Sequence, residues 1–239
     1  MKTIFVAGAT GVIGRRLLPL LRDSGAIVYG TTRRADRAAS IEALGARAVI
    51  VDAFDASALT RAVVAARPDV VIHQLTDLPA ALDPALMADA VARNARIRDQ
   101  GTRHLVAAAR AAGAMRIVAQ SIAWMYAPGT EPHGEDDPLD LAAEGSRGVS
   151  VRGVASLESQ VLGAAPIEGV VLRYGHLYGP GTGSDTTSSS APLHVDAAAR
   201  AALLAIDHGA PGIYNIVERD DVASAAKARR ALGWKPAPA

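Results

Sequence analysis

Residues Thr3 to Ala7 form a short apolar run that leads straight into Gly8-Ala9-Thr10-Gly11-Val12-Ile13-Gly14, and a helical pattern follows over Val12–Ser24. A strand that turns this sharply into a helix exposes bare backbone N–H groups. The glycines remove the side chains that would block an approaching phosphate, and the helix N-terminus adds partial positive charge. The glycine spacing alone is a weak signal. Its place after an apolar strand and before a helix is the context a dinucleotide pyrophosphate site requires. Gly8, Thr10, Gly11, Val12, Ile13 and Gly14 are therefore expected to hold the phosphates of such a cofactor.

Further apolar runs recur at Ala26–Tyr29, Ala48–Val51, Val70–Ile72, Ile117–Ala119 and Val170–Leu172. They are short and largely continuous, as in strands covered on both faces. Helical patterns separate them at Asp36–Leu44, Asp55–Ala66, Pro84–Ala112 and Arg152–Leu162. This alternation predicts an α/β fold, a doubly wound parallel sheet of Rossmann-like type, with its ligand at the C-terminal ends of the strands. After a Gly/Ser/Thr-rich loop at Gly179–Pro192, the sequence predicts a helix at Val195–Asp207, a strand at Gly212–Val217 and a helix at Val222–Leu232. One domain over residues 1–239 is expected, with a small C-terminal substrate-binding portion from about residue 174.

Composition narrows the function. A chain of 239 residues, 50% hydrophobic, can bury one substantial core. The formal net charge of +1, with no long block of like charge, argues against a nucleic-acid partner. The absence of Cys removes disulfides, thiolate zinc sites and cysteine nucleophiles, and it fits a cytoplasmic location. Arg15-Arg16 interrupts the N-terminal apolar stretch too early for an export signal, and no apolar run is long enough to cross a bilayer. No His-rich or paired-carboxylate spacing suggests a metal.

The second strand ends near Gly30-Thr31-Thr32-Arg33-Arg34. NAD sites place an acid there for the ribose 2′-hydroxyl, and none is present. The guanidinium forks of Arg33 and Arg34 suit a 2′-phosphate, so NADP(H) is expected over NAD(H); the alternative is that both simply begin a solvated helix. Arg15 can face the same phosphate or the surface. Asp52, followed by Ala53, ends the third strand and can accept from the adenine amino group, or it can cap a helix, as can Asp55.

With these residues in place the chain resembles the extended short-chain dehydrogenase/reductase superfamily, within it the NAD-dependent epimerase/dehydratase family. The resemblance is carried by Gly8–Gly14, by VVIHQLT at Val70–Thr76 and by GTRHLVAAARAAG at Gly101–Gly113. It continues in IVAQSIAWMY at Ile117–Tyr126, LRYGHLYGPG at Leu172–Gly181 and LHVDAAAR at Leu193–Arg200. It implies that His73, Gln74 and Leu75 lie beside the cofactor and that Ser121 lies where the catalytic Ser/Thr stands, displaced by one from Ile122. It implies that the loop from Tyr174 to Tyr178 meets nicotinamide and a small-molecule substrate, and that the chain forms a homodimer. His194 and Asp196 match a structural turn. The segment from Lys227 to Trp234 matches the end of the family, with the material before it shortened.

The superfamily's proton donor is a Tyr followed four residues later by Lys. No lysine lies between Lys2 and Lys227, so the pair is absent. Ser150 and Val154 stand at the aligned positions. The remaining acid–base candidates are Ser121, Tyr126 and His176, with His73 at another strand end and His133 in the acidic loop near the substrate entrance. Each has a bland alternative as a packing or hydrogen-bonding residue. Three functions stay open: an NADP(H)-dependent reductase acting on a small carbonyl or hydroxyl compound; a non-redox isomerase, dehydratase or cyclase with a vestigial cofactor; and a dinucleotide sensor without turnover.

Overall fold

The computed structural model describes residues 1–79, 84–187 and 190–236. Residues 188 and 189 of the expected Gly179–Pro192 loop, and 237–239 of the expected C-terminal portion, lie outside them. The strands are β1 (Thr3–Ala7), β2 (Ile27–Thr32), β3 (Arg47–Ile50), β4 (Val70–His73), β5 (Arg116–Ile122), β6 (Glu168–Tyr174), β7 (His176–Tyr178), β8 (Pro192–His194) and β9 (Gly212–Ile216). Seven of them form one sheet in the order β3-β2-β1-β4-β5-β6-β9. Every pairing in it is parallel. β7 and β8 pair separately.

The helices are α1 (Val12–Asp23), α2 (Ala38–Glu42), α3 (Ala56–Ala66), α4 (Met87–Arg96), α5 (Thr102–Ala111), α6 (Gly145–Leu162), α7 (Val195–Leu204) and α8 (Ala226–Ala231). Both faces of the sheet are buried, because alternate residues of each strand point opposite ways. Ile4 and Val6 face a core made with Leu17, Leu18 and Leu21 of α1, the alanines of α7 and Trp234. Phe5 and Ala7 face a core made with Leu59 and Val63 of α3, Leu105 of α5, and Leu157 and Val161 of α6. The chain runs outward from β1 to β3 and then returns to β4 on the other side of β1. That reversal leaves a crevice above the strand ends, where a ligand is expected.

Several boundaries differ from the sequence expectation. The single helix expected over Pro84–Ala112 is a 3₁₀ turn at Pro84–Leu86, then α4, a π turn at Ile97–Gly101 and α5. A single π turn adds about one residue to one turn, a shift of phase that periodicity over a short window does not resolve. α6 starts at Gly145 rather than Arg152. Gly148 and Gly153 weaken its helical signal. Gly153 is needed for close packing, since a Cβ there would lie 3.1 Å from the Ala95 Cα.

Candidate active site

A cavity of about 730 Å³ opens along the C-terminal ends of β1 to β6. At its centre is the turn between β1 and α1. Gly8 has φ +91°, and a Cβ there would overlap the Gln74 carbonyl; a Cβ on Gly14 would overlap the carbonyl oxygens of Gly8 and Ala9. The turn is held by Gly11 N–H donating to Gly8 O at 3.1 Å and by Gly8 N–H donating to Thr31 Oγ1 at 3.1 Å. No side chain caps α1. The first backbone bond into the helix is Arg15 N–H to Gly11 O. The amides of Val12, Ile13 and Gly14 therefore have no acceptor within the helix. This is a cradle that any side chain would fill, with unanswered donors at its floor, and it fits a pyrophosphate.

Toward β2 and β3 the lining is basic, with Arg15, Arg33, Arg34 and Arg37 around it. Arg33 pairs with Asp77 at 3.3 Å, and Arg93 reaches the other Asp77 oxygen at 3.5 Å. Arg34 pairs with Asp36. Asp52 lines the cavity and accepts from Phe54 N–H at 2.9 Å. Asp55 is the residue that caps α3, accepting from Ala58 N–H at 2.9 Å. Ala53 lines the cavity too.

Toward β5 and β6 the lining is Gln74, Leu75, Gln120, Ser121, Trp124, Tyr174, His176 and, from the π turn, Arg98. Ser121 Oγ donates to Glu158 Oε1 at 2.7 Å. Arg173 holds the same carboxylate in two places, Nε to Oε1 at 2.9 Å and Nη2 to Oε2 at 2.7 Å. Its Nη1 donates to the Tyr126 oxygen at 2.8 Å, and Tyr126 O–H donates to Asn215 Oδ1 at 2.7 Å. The His176 ring stacks on Trp124 with centroids 4.7 Å apart and planes 8° apart. His176 Nδ1 lies 3.1 Å from the Ser190 carbonyl; a carbonyl only accepts, so this nitrogen donates.

The profile of the NAD-dependent epimerase/dehydratase family matches residues 4–193. The chain belongs to that family. It is similar to a 3-diazoavenalumate denitrifying reductase from a Streptomyces species, 42% identical over 94% of this chain and 78% of the relative. It is also similar to a dTDP-4-dehydrorhamnose reductase from Streptomyces griseus, 31% identical over 74% of this chain and half of the relative. Among solved structures it matches UDP-glucose 4-epimerase from Thermotoga maritima, solved with UDP-glucose. The TM-score is 0.80, with 18% identity over 99% of this chain and 94% of that one. It also matches UDP-glucuronic acid 4-epimerase from Bacillus cereus in complex with NAD. There the TM-score is 0.76, with 18% identity over 99% of this chain and 94% of that one. As a member of the epimerase/dehydratase family the chain is an enzyme of oxidoreductase or epimerase type, with a nicotinamide dinucleotide as its class of cofactor.

The structure gathers most of the candidate residues of this family member at one cavity: Gly8, Thr10, Gly11, Val12, Arg33, Arg34, Asp52, Ala53, Gln74, Leu75, Ser121, Tyr174 and His176. Ile13 and Gly14 stand behind the turn, both buried. His73 does not line the cavity. It is buried beneath it, Nε2 2.9 Å from Thr102 Oγ1 and Nδ1 accepting from Leu75 N–H at 3.2 Å. Burial, and then the charge of Arg98, pushes it down to about 4, so it is neutral at ordinary pH. Tyr126 also lies off the cavity, 4% exposed, and burial raises its pKa. Its O–H is directed at Asn215, because the pairing of β6 with β9 sets Arg173 beside Asn215. His133, expected near an entrance, instead stacks on Tyr126 and bonds Asp137 at 2.9 Å. His194 caps α7, accepting from Asp196 N–H at 3.3 Å.

Sequence reasoning missed Arg98, Trp124, Gln120, Arg37 and Asp77. Trp124 had a signal, an aromatic two residues past a strand end. Arg98 had none, because it is one of several arginines along a helical segment and only the π turn sets its direction.

Proposed function

We propose that this chain is an NADP(H)-dependent reductase of a small molecule activated as an aryl diazonium group, which it removes as dinitrogen. The carrying observation is the lack of a tyrosine–lysine proton donor at the reactive end. Val154, at the position aligned with the lysine, is fully buried and packs with Met125 and Val151. Tyr126, the nearest tyrosine after β5, is committed to Arg173 and Asn215. A ketone reductase must deliver a proton to oxygen as hydride arrives. A diazonium group needs none: a reduced nicotinamide held in this cavity would supply hydride, and R–N₂⁺ plus hydride balances as R–H plus N₂. The 42% identity to a diazo-reducing relative supports the same choice.

In this reading the residues position and bind. The glycine turn and the open amides of α1 hold the pyrophosphate. Arg15, Arg33, Arg34 and Arg37 favour a 2′-phosphate, since guanidinium forks match its oxygens. Ser121, fixed by Glu158, offers its oxygen toward the substrate, and Trp124 and His176 wall the reacting space, with the segment from Tyr174 framing it. The test is to supply NADPH with an aryl diazonium acid, follow the loss of reduced-nicotinamide absorbance and trap the evolved dinitrogen. Equal amounts of both are expected. Product formed without consuming cofactor would place the enzyme among isomerases or dehydratases instead.

A further inference from the structure

Arg98 extends from the π turn into the cavity on the β4–β5 side. Among the described residues it has no hydrogen-bond acceptor and no carboxylate within ion-pair distance. The acid whose charge it feels is Glu158. Both oxygens of Glu158 are already held, by Arg173 and by Ser121. Burial lowers the Arg98 guanidinium to about 10, which leaves it a cation at neutral pH. A part-buried cation without a counter-ion is destabilising until an anion meets it.

The phosphates of a dinucleotide do not meet that need. Their donors, the glycine turn and Arg15, lie at the ends of β1 and β2, whereas Arg98 lies close enough to lower His73 at the end of β4 and to feel the charge of Glu158 on α6. Two more atoms on the same side have no partner among the described residues. Trp124 Nε1 and Gln74 Oε1 are buried without a hydrogen bond, and both residues line the cavity. The Trp124 indole is held flat by the His176 ring. The reactive end thus offers a planar aromatic wall, one N–H donor, one acceptor and one unanswered guanidinium fork.

We propose that Arg98, Trp124 and His176 form the substrate subsite for a planar, conjugated carboxylate, with the acid on Arg98 and the unsaturated body along the indole–imidazole pair. This rests on reading the cavity as a dinucleotide site with a substrate beside it. A carboxylate matches the fork of a guanidinium in two parallel bonds, and a flat π-system matches the stacked rings.

The test uses cinnamate and its neutral methyl ester as probes, titrated calorimetrically into the protein saturated with NADP⁺. Wild type should favour the acid over the ester by roughly tenfold or more, the worth of a charge-assisted pair. Arg98→Gln should bring the two probes to similar affinity while dinucleotide affinity stays as in wild type. Unchanged dinucleotide affinity also reports that the variant is folded. Trp124→Ala should weaken acid and ester alike and keep their ratio. Equal binding of acid and ester by wild type, or binding of neither, overturns the proposal. Loss of dinucleotide affinity in Arg98→Gln with the acid-to-ester ratio intact also overturns it, by assigning Arg98 to the cofactor. Failure of wild type to bind dinucleotide at all is a different result and sinks the proposed function instead.

Discussion

At the ends of β1, β2 and β3 the cavity presents backbone amides and exposed guanidinium groups. At the ends of β5 and β6 its wall rests on buried side chains behind it that are already tied to one another. The first end waits for charge from outside. Arg33 is 58% exposed at its side chain, and its partner Asp77 is shared with Arg93. Behind the second end the charges are paired within the protein: Arg173 and Glu158 are 3% and 5% exposed and satisfy each other. Ligand binding should therefore be easy to change at the first end without harm to the fold. At the second, the residues that position the chemistry also hold the protein together.

The largest expected effect is at the second end. Arg173→Met leaves the Glu158 carboxylate buried and Tyr126 without its donor, and breaking a buried pair this way costs about 3–5 kcal/mol. Urea unfolding should show that loss, and adding Glu158→Gln should recover part of it. A variant as stable as wild type would mean that the network does not support this half of the sheet.

Next comes a pH effect under the middle of the cavity. His73 titrates at about 4 when folded, below its ordinary 6.5. Between those values the unfolded chain binds a proton that the folded chain does not. The contribution is therefore complete above pH 6.5 and is lost as pH falls toward 4, in total on the order of 3 kcal/mol. His73→Asn should flatten the dependence of urea midpoint on pH across that window. An unchanged slope would place the acid sensitivity elsewhere.

The smallest effect belongs to the first end. Arg33→Ala should weaken NADPH by roughly tenfold, about 1.4 kcal/mol, with NADH affinity and thermal midpoint unchanged. Equal loss for both cofactors would show that Arg33 reads the adenosine generally and not a 2′-phosphate.

The same contrast explains what the sequence discloses. The glycine turn, the basic residues after β2 and Asp52 are local signals, each within a few residues of a strand end. The apolar runs identified the six N-terminal strands of the sheet because both faces are covered. The reactive end is non-local. Ser121 meets Glu158 across 37 residues, and Arg173 meets Tyr126 across 47. No spacing rule reaches that far. Arg173 directly follows the apolar run of β6, where its charge gave no hint of a buried partner. The π turn that directs Arg98 is equally silent, because it inserts geometry without changing composition.

The two faces of the sheet also differ in when they can close during synthesis. Every buried member of the core beneath α3, α5 and α6 lies between Phe5 and Val171. The opposite core draws on residues from Ile4 through Trp234, whose indole N–H donates to Ala197 O at 3.0 Å. A growing chain that has emerged through β6 holds one complete core. The other stays open until Trp234 has emerged as well.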